Sequence, residues 1–213
     1  MTEAASNPAG AHNVVRLTRS DDGQSLRLYG MVGDEFDGFT DDNVRDVLEG
    51  REWMDGMQTS EPVTGDLVVH LNSPGGLVDQ GMAIYAALTE IGGTLTIHVD
   101  GLAASIASVI AMAGRVRMHP GSMLMIHNPW NMALGDANEM RKNAEMLDKW
   151  GDSIIAIYQR KTGQDEDTIR TMMEEETWLT AEDAVEWGFA DEIVQGDTTE
   201  PAARAMAALD LSV

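Results

Sequence analysis

Residues 94–114 read TLTIHVDGLAASIASVIAMAG, a pattern that passes from strand to helix through a run of small side chains. The alternation in TLTIHVDG (94–101) predicts a strand, and the apolar segment ASIASVIAMAG (104–114), closed by glycine, predicts a buried helix. Six of the eight residues in 101–108 are glycine, alanine or serine. Side chains this small let another backbone approach closely. The stretch therefore predicts a tight strand-to-helix junction with Ser105 at the start of the helix.

The preceding residues repeat this arrangement. DLVVHLNS (66–73) predicts an apolar strand that stops at Pro-Gly-Gly, and LVDQGMAIYAALTEIGG (77–93) predicts a helix that ends in glycines. Strands and helices that alternate at this spacing indicate βαβ units and a mainly parallel sheet, so the predicted fold class is α/β. Further strands are predicted at 26–33, 115–120, 122–129 and 190–194, and further helices at 41–50, 136–162, 165–176 and 180–188.

Composition restricts the class of protein. The 213 residues suffice for one domain, which we predict over 26–194 between a flexible segment 1–25 and a tail 195–213. The formal net charge of −22 disfavours binding to nucleic acid or to anionic membranes. The absence of cysteine excludes a thiolate nucleophile and cysteine-ligated zinc. With no signal-peptide pattern and no membrane-length apolar run, we expect a cytoplasmic protein.

Ser105 is the candidate nucleophile. Backbone N–H groups and the dipole at a helix N-terminus stabilise developing negative charge. A hydroxyl there can attack a carbonyl while the amide of Ile106 donates to the resulting oxyanion. The alternative is that Ser105 only caps the helix or fills a tight helix–sheet contact. Ser108, one turn further along, is expected to be buried packing.

A serine nucleophile needs a base, and the chain has five histidines. His12 lies in the predicted flexible segment and His119 adjoins a turn. His70 and His98 fall inside strand patterns, where we expect hydrogen-bonded core histidines. His127 ends the apolar run MLMI beside a loop, the position at which α/β proteins place catalytic groups. We therefore predict that His127 is the general base.

Three more residues complete the predicted site. The turn NSPGG (72–76) exposes backbone N–H groups, so the amide of Gly76 is a candidate second oxyanion donor. Gly75 would let a substrate backbone approach. The orienting acid is expected among 174–176, where the segment TWLT brings a helix end back towards the sheet. Glu176 is our choice, although three adjacent glutamates are usually a solvated helix end.

Four motifs together resemble the Clp-type serine peptidases, the ClpP family. They are HLNSPGG (70–76), DGLAASIASVIAMAG (100–114), MLMIHNP (123–129) and ETWLTAEDAVEWGFAD (176–191). The resemblance runs in order over roughly residues 25–194. More narrowly, the motifs resemble the phage and prophage branch described as head maturation proteases.

The resemblance implies a ClpP/crotonase-like α/β fold and a Ser–His–acid triad. Carried over by position, the nucleophile is Ser105, the histidine is His127 and the oxyanion amides are those of Gly76 and Ile106. The acid position falls on Glu176, where better-known members have aspartate. Such a site uses neither a metal nor a cofactor.

The resemblance also implies an assembly and a class of substrate. Members form homo-oligomeric rings, heptamers or stacked heptamers, around a chamber, and residues 136–162 match the family's handle helix. An AAA+ unfoldase is a possible partner. The substrate is then a polypeptide, in the phage branch a capsid or scaffold protein, cleaved with or without an unfoldase. We assign substrate binding to Gly75 and Asn128. The segment NPWNMALG (128–135) lacks the glycine pair that usually binds the substrate backbone.

Two alternatives remain open at this point. A crotonase-type acyl-CoA enzyme would use the two backbone amides to polarise a thioester without a serine–histidine pair. A ring-forming assembly protein with a decayed site is also compatible with glutamate at position 176.

Overall fold

A computed structural model of the protein describes residues 15–20, 23–51, 53–54, 57–58 and 61–194. Across these residues, twelve strands and six helices follow one another. The strands are β1 (Val15–Ser20), β2 (Gly23–Tyr29), β3 (Met31–Val32), β4 (Gly38–Phe39), β5 (Trp53–Met54), β6 (Met57–Gln58), β7 (Leu67–Ser73), β8 (Leu95–Ala104), β9 (Arg115–Met118), β10 (Met123–Ile126), β11 (Thr177–Thr180) and β12 (Glu192–Ile193). The helices are α1 (Asp41–Leu48), α2 (Val78–Thr89), α3 (Ile106–Ala111), α4 (Ala137–Thr162), α5 (Glu166–Glu174) and α6 (Ala181–Glu186).

Eight of these strands form one sheet. Its main path runs β1-β2-β7-β8-β10-β11, with β9 beside β8 and β12 beside β9. The pairs β2–β7, β7–β8, β8–β9, β8–β10 and β9–β12 are parallel. Only the outer pairs of the path, β1–β2 and β10–β11, are antiparallel. The predicted α/β class with a mainly parallel sheet is confirmed.

Strand β8 has two different neighbours along one edge. Its first part, Thr96–Val99, pairs with β9, and its last part, Leu102–Ala104, pairs with β10. The opposite edge pairs with β7, whose register shifts between Leu71 and Ser73. The carboxyl ends of β7, β8 and β10 consequently meet at one end of the sheet, where parallel α/β folds place their sites.

The two faces of the sheet differ in polarity because strand residues alternate. In β7 and β8 one set of alternate residues, including Leu71 and Ile97, is buried in a core shared with α1, α2 and α3. The other set, including His70 and His98, is half-buried. Both histidines form hydrogen bonds, as expected, but they lie on this polar face and not in the core.

Several element boundaries differ from the sequence prediction. Strand β8 continues to Ala104 and α3 covers only 106–111, so the predicted helix 104–114 is too long at both ends. Pairing of Ala103 and Ala104 with β10 overrides their weak strand propensity. Strands β1 and β2 both begin before residue 26, the predicted start of the domain. The predicted tail 195–213 and the first fourteen residues of the predicted segment 1–25 lie outside the described residues.

Helix α4 extends beyond the core at its N-terminal end. A capping box formed by Asp136 and Glu139 starts the helix, and Gly163, in the left-handed conformation, ends it. The apolar residues spaced along one side of the helix are buried only in its C-terminal half, where Gly151, Ile154 and Tyr158 lie. In the N-terminal half, Met140 and Met146 are exposed, as are Trp130, Met132 and Leu134 before the helix. None of the described helices is both long and apolar enough to cross a bilayer.

The contact between α2 and α3 predicts an unusual glycine requirement. A Cβ on Gly81 would lie 2.2 Å from Cγ1 of the buried Ile106. We expect Gly81→Ala to lower the free energy of unfolding by about 1–3 kcal/mol, because overpacking outweighs the gain in helix propensity. Urea denaturation at one fixed protein concentration measures this change.

Gly92→Ala is the matched control, because a Cβ on Gly92 meets nothing within 4 Å. Its expected effect is within about 0.5 kcal/mol. Equal effects at the two positions would show that the α2–α3 contact does not limit side-chain size.

Candidate active site

Ser105 occupies the sharp turn between β8 and α3. Its backbone has φ 54° and ψ −130°, a conformation that non-glycine residues rarely adopt. Its amide donates to the carbonyl of Met125 at 2.9 Å, and its carbonyl accepts from the amide of Ser108 at 3.0 Å. A strained strand-to-helix turn is typical of enzymes that expose a serine hydroxyl at the edge of a sheet.

His127 reaches Ser105 because of the register between two parallel strands. Ala104 is paired with Met125, so the residues that follow β8 and β10 emerge side by side. The Nε2 atom of His127 lies 2.7 Å from Oγ of Ser105, a normal hydrogen-bond distance. The structure thus brings together the two residues on which the predicted chemistry depends.

A buried hydrogen-bond network stabilises the turn at Ser105 from the side of the protein core. The Oγ of Ser108 donates to the carbonyl of Ser105 at 2.5 Å and lies 2.7 Å from the hydroxyl of Tyr158. Burial raises the pKa of the Tyr158 phenol, so the hydroxyl keeps its proton. Ser108 is buried, as predicted, but it also holds the turn through Tyr158 of α4. The sequence offered no signal for this contact, which joins residues far apart in the chain.

Glu176 lies beside His127 because β10 and β11 are antiparallel and pair Ile126 with Thr177. Its Oε2 is 3.9 Å from Nδ1 of His127, an ion-pair distance and too long for a hydrogen bond. The side chain is 57% exposed, and its backbone has a positive φ of 51°. The indole of Trp178 donates to Oε1 at 3.3 Å. Glu176 is thus close enough to act electrostatically but does not fix the imidazole through a direct bond.

Two opposing effects set the pKa of His127. Partial burial, the larger effect, lowers this pKa, and the Glu176 carboxylate raises it. The net pKa lies below the usual histidine value. The imidazole is therefore neutral near pH 7 and can accept a proton from Ser105.

Gly75 provides the space that the Ser105 side chain occupies. With φ 97°, a Cβ at position 75 would lie 2.6 Å from Cβ of Ser105 and 3.2 Å from its Oγ. The sequence predicts that this glycine leaves room for a substrate backbone. In the structure, the space that a side chain at position 75 would need is taken by the candidate nucleophile.

The neighbouring turn is anchored to Val32. The amide of Val32 donates to the carbonyl of Gly75 at 2.8 Å, and the amide of Leu77 donates to the carbonyl of Val32 at 3.0 Å. A Cβ on Gly76 would lie 2.0 Å from the Val32 oxygen, so only glycine fits. These contacts hold the Gly75–Gly76 turn against Val32, and Gly75 of the same turn lies against the Ser105 side chain.

The remaining predicted site residues lie on the same end of the sheet. Ile106 is the first residue of α3, so its amide has no partner within the helix. Asn128 follows His127 and is exposed, but its amide donates to the carbonyl of Met173 at 3.2 Å. Asn128 can therefore offer a substrate only its side chain and carbonyl.

An open depression of 410 Å³ lies beside the Gly76 turn. Apolar side chains of Met31, Phe36 and Leu77 line it together with the acidic side chains of Asp34 and Glu35. Phe36 is 83% exposed, so its ring is available to another molecule. An extended chain that reached the Gly76 amide would place a side chain in or near this depression.

The sequence matches a family model described as Clp protease over residues 53–197. This match covers more than half of the chain and includes the strands and turns that carry Ser105, His127 and Glu176. The chain therefore belongs to the Clp protease family, a family of serine peptidases.

Individual relatives agree with this assignment. A Clp protease proteolytic subunit of Ligilactobacillus salivarius is 37% identical over 61% of this chain and 68% of its own length. Subunit 1 of Chlamydia abortus is 31% identical over 74% of this chain and 96% of its own length. Subunit 1 of Protochlamydia amoebophila is 35% identical over 58% of this chain and 63% of its own length. All three are named as ATP-dependent.

A solved structure supports the fold. The ClpP1 N165D mutant from Listeria monocytogenes superposes with a TM-score of 0.66, covering 81% of this chain and 92% of its own. At 21% identity, this similarity shows a ClpP-like fold, as the motifs predicted.

The position of Glu176 predicts a change in pH dependence. Glu176→Gln removes the influence that raises the His127 pKa and leaves burial, which lowers it. The base then stays neutral to lower pH, so we expect the acid limb of kcat/KM for peptide cleavage to shift to lower pH. The plateau should fall by about 10- to 100-fold, less than the roughly 10⁴-fold lost when a directly bonded triad acid is replaced.

Glu175→Gln is the control for this substitution. Glu175 is the exposed neighbour of Glu176, and its replacement should change neither the acid limb nor the plateau. An acid limb of Glu176→Gln that stayed in place or moved to higher pH would contradict an electrostatic role for Glu176.

Proposed function

We propose that this protein is a serine endopeptidase in which Ser105, His127 and Glu176 form the catalytic set. The observation that carries the proposal is the 2.7 Å contact between Oγ of Ser105 and Nε2 of His127 at the junction of β8 and β10. Membership of the Clp protease family gives the reaction class, and the lowered pKa of His127 suits a general base.

In the first half of the reaction, Oγ of Ser105 attacks the scissile carbonyl as His127 Nε2 takes its proton. The amides of Gly76 and Ile106 donate to the oxyanion. The backbone of Gly76 is held by Val32, and that of Ile106 begins α3, so neither amide needs to reorganise. His127 then protonates the leaving amine, the C–N bond breaks, and an acyl-enzyme ester remains on Ser105.

Water completes the cycle. His127 takes a proton from the attacking water, the ester bond breaks, and Ser105 regains its proton as the acid product leaves. Glu176 stabilises the imidazolium through the charge interaction at 3.9 Å. Because the carboxylate is exposed, this stabilisation is smaller than that of a buried acid.

The depression next to Gly76 and the exposed side chain of Asn128 are the proposed substrate contacts. Apolar side chains with an acidic rim favour an apolar or basic substrate residue over an acidic one. The high negative charge of the protein acts in the same direction.

We also propose that the protein works as a homo-oligomeric ring of heptameric or stacked heptameric form. Support comes from α4 and the segment before it, which extend apolar side chains away from the protomer's core. Leu134 and Met132 are almost fully exposed, at 101% and 93%. Large exposed apolar side chains in a contiguous segment are typical of interaction surfaces.

The finer proposal concerns the substrate. The motif resemblance to phage head maturation proteases favours capsid or scaffold proteins as substrates, and unfolded chains would need no unfoldase. Folded substrates would need an AAA+ partner, in keeping with the names of the relatives. Family membership disfavours the acyl-CoA alternative, and the close Ser105–His127 contact disfavours a decayed site.

Replacing the nucleophile tests the reaction class. Ser105→Ala should reduce cleavage of a fluorogenic peptide by roughly 10⁶-fold and abolish labelling by a fluorophosphonate, because no other hydroxyl contacts His127 in the described residues. Ser153→Ala is the matched control, since this serine lies on α4 and bonds only within the helix. Labelling that persisted in Ser105→Ala would contradict the assignment.

Cleavage of whole protein substrates separates the substrate proposals. Phage scaffold or capsid proteins should be cleaved faster than casein if the finer proposal holds. Equal rates would contradict that proposal and leave the peptidase assignment intact.

If the exposed segment before α4 contacts another subunit, polar substitutions in it should impair assembly. Replacing Met132 and Leu134 by serine should lower the mass of the assembled particle without unfolding the protomer, because neither side chain packs in the core. Mass photometry measures the particle, and circular dichroism checks the fold. Wild-type protein that remained monomeric at micromolar concentration would contradict the proposed ring.

A further inference from the structure

A second cluster of polar side chains lies on the face of the sheet opposite the core. His70 on β7 and His98 on β8 are direct cross-strand partners, and Asp100 follows two residues later on the same face. His119, directly after β9, joins them as its amide donates to the carbonyl of Val99. None of these four residues has a role in the proposed peptidase chemistry.

The four side chains converge on a small volume. Ligand atoms of His70, His98 and Asp100 all lie within 4.8 Å of one another. The Nδ1 of His70 is 3.0 Å from one oxygen of Asp100, and the Nε2 of His119 is 3.5 Å from the other. The His70 and His98 rings meet edge to face, with centroids 5.2 Å apart.

We propose that His70, His98 and Asp100, with His119 as a fourth donor, form a zinc-binding site on the outer face of the sheet. Imidazole nitrogen and carboxylate oxygen are ordinary zinc ligands at about 2.0–2.2 Å, in tetrahedral geometry. Ligand atoms around such an ion are separated by about 3.3 Å. The separations of 3.0 Å and 3.5 Å lie near this value, whereas the His119 ring must turn towards His70 and His98 to complete the set.

An outer contact orients the carboxylate of the cluster. Tyr29 donates to Asp100 at 2.6 Å, the kind of outer contact that orients a ligating carboxylate.

The cluster is open to solvent. His70 and Asp100 line a groove of 370 Å³ together with Arg16 and Arg27, and His70 and His98 line a second groove. His70 and His119 are 37% and 41% exposed, so an ion can enter without unfolding the sheet.

Arg117 is the group that opposes a cation here. Its Nη1 lies 3.2 Å from Nε2 of His98, and it also forms an ion pair with Glu192 of β12. In the metal-bound form the His98 nitrogen would exchange this contact for the ion, and Glu192 would retain the guanidinium. Arg27 stacks on Tyr29 at the other side of the site and carries a second positive charge.

Zinc at this position would connect β7, β8 and the turn after β9. An ion bound only by the folded protein stabilises that fold by mass action. The site would therefore strengthen the central strands on the face opposite the helical core, and it shares no side chain with the Ser105–His127 pair.

Binding of Zn²⁺ and Co²⁺ to the full-length protein tests the proposal. We expect one zinc ion per protomer by titration calorimetry, a rise in melting temperature with zinc, and visible cobalt absorption typical of a four-coordinate nitrogen–oxygen site. His98→Asn and Asp100→Asn should each weaken zinc binding at least about tenfold, since even outer-shell changes cost 10- to 100-fold.

Two histidine controls and one arginine variant make the test specific. His12→Asn and His127→Asn should retain the ion, which excludes binding by the N-terminal segment or by the catalytic imidazole. Arg117→Gln should bind zinc more tightly than the wild type, because the competing cation is gone. A merely damaged fold would not produce this gain.

The results that would overturn the site are direct. A wild-type protein that showed neither zinc-dependent stabilisation nor cobalt absorption would exclude it. Binding that was lost in His127→Asn and kept in His98→Asn would place the ion at the active site instead. Circular dichroism of each variant confirms that altered binding does not reflect unfolding.

Discussion

The position of β10 between β8 and β11 is the constraint on which the site depends. Parallel pairing with β8 aligns Ala104 with Met125, and antiparallel pairing with β11 aligns Ile126 with Thr177. Three residues far apart in the chain, Ser105, His127 and Glu176, therefore emerge at one end of the sheet. A slip of one residue in either pairing would turn side chains to the opposite face and separate the three groups.

The members of the catalytic set differ in how many contacts with the protein core fix their positions. Ser105 keeps a strained backbone that costs about 1–3 kcal/mol, and the Ser108–Tyr158 network holds it in place from the core. Glu176 is anchored mainly by its exposed neighbour Trp178 and reaches His127 only through charge. The nucleophile and base are thus built into the protomer, whereas the acid lies at the surface.

The sequence predicted the fold class because strand and helix periodicity and the glycine-rich turns are local signals. It predicted the convergence of Ser105 and His127 because each follows a predicted strand and because the motifs around them resemble one family. It did not predict strands β1 and β11, nor the end of β8 at Ala104, because pairing partners and not propensity determine those segments. His70 and His98 were expected in the core since a strand pattern does not tell which face is covered. The support of Ser105 by Tyr158 depends on long-range packing, which leaves no periodic mark in the sequence.

The contact between Gly75 and Ser105 limits which residue position 75 can hold. Since a Cβ at position 75 would lie only 2.6 Å from Cβ of Ser105, no side chain fits at position 75 while residue 105 carries a Cβ. In a scan of all substitutions, position 75 would score like a catalytic residue although it supplies no reacting atom. A smaller residue 105 would not restore tolerance at position 75, because a Cβ there would also lie 2.8 Å from the backbone oxygen of Ala104, at a positive φ of 97°.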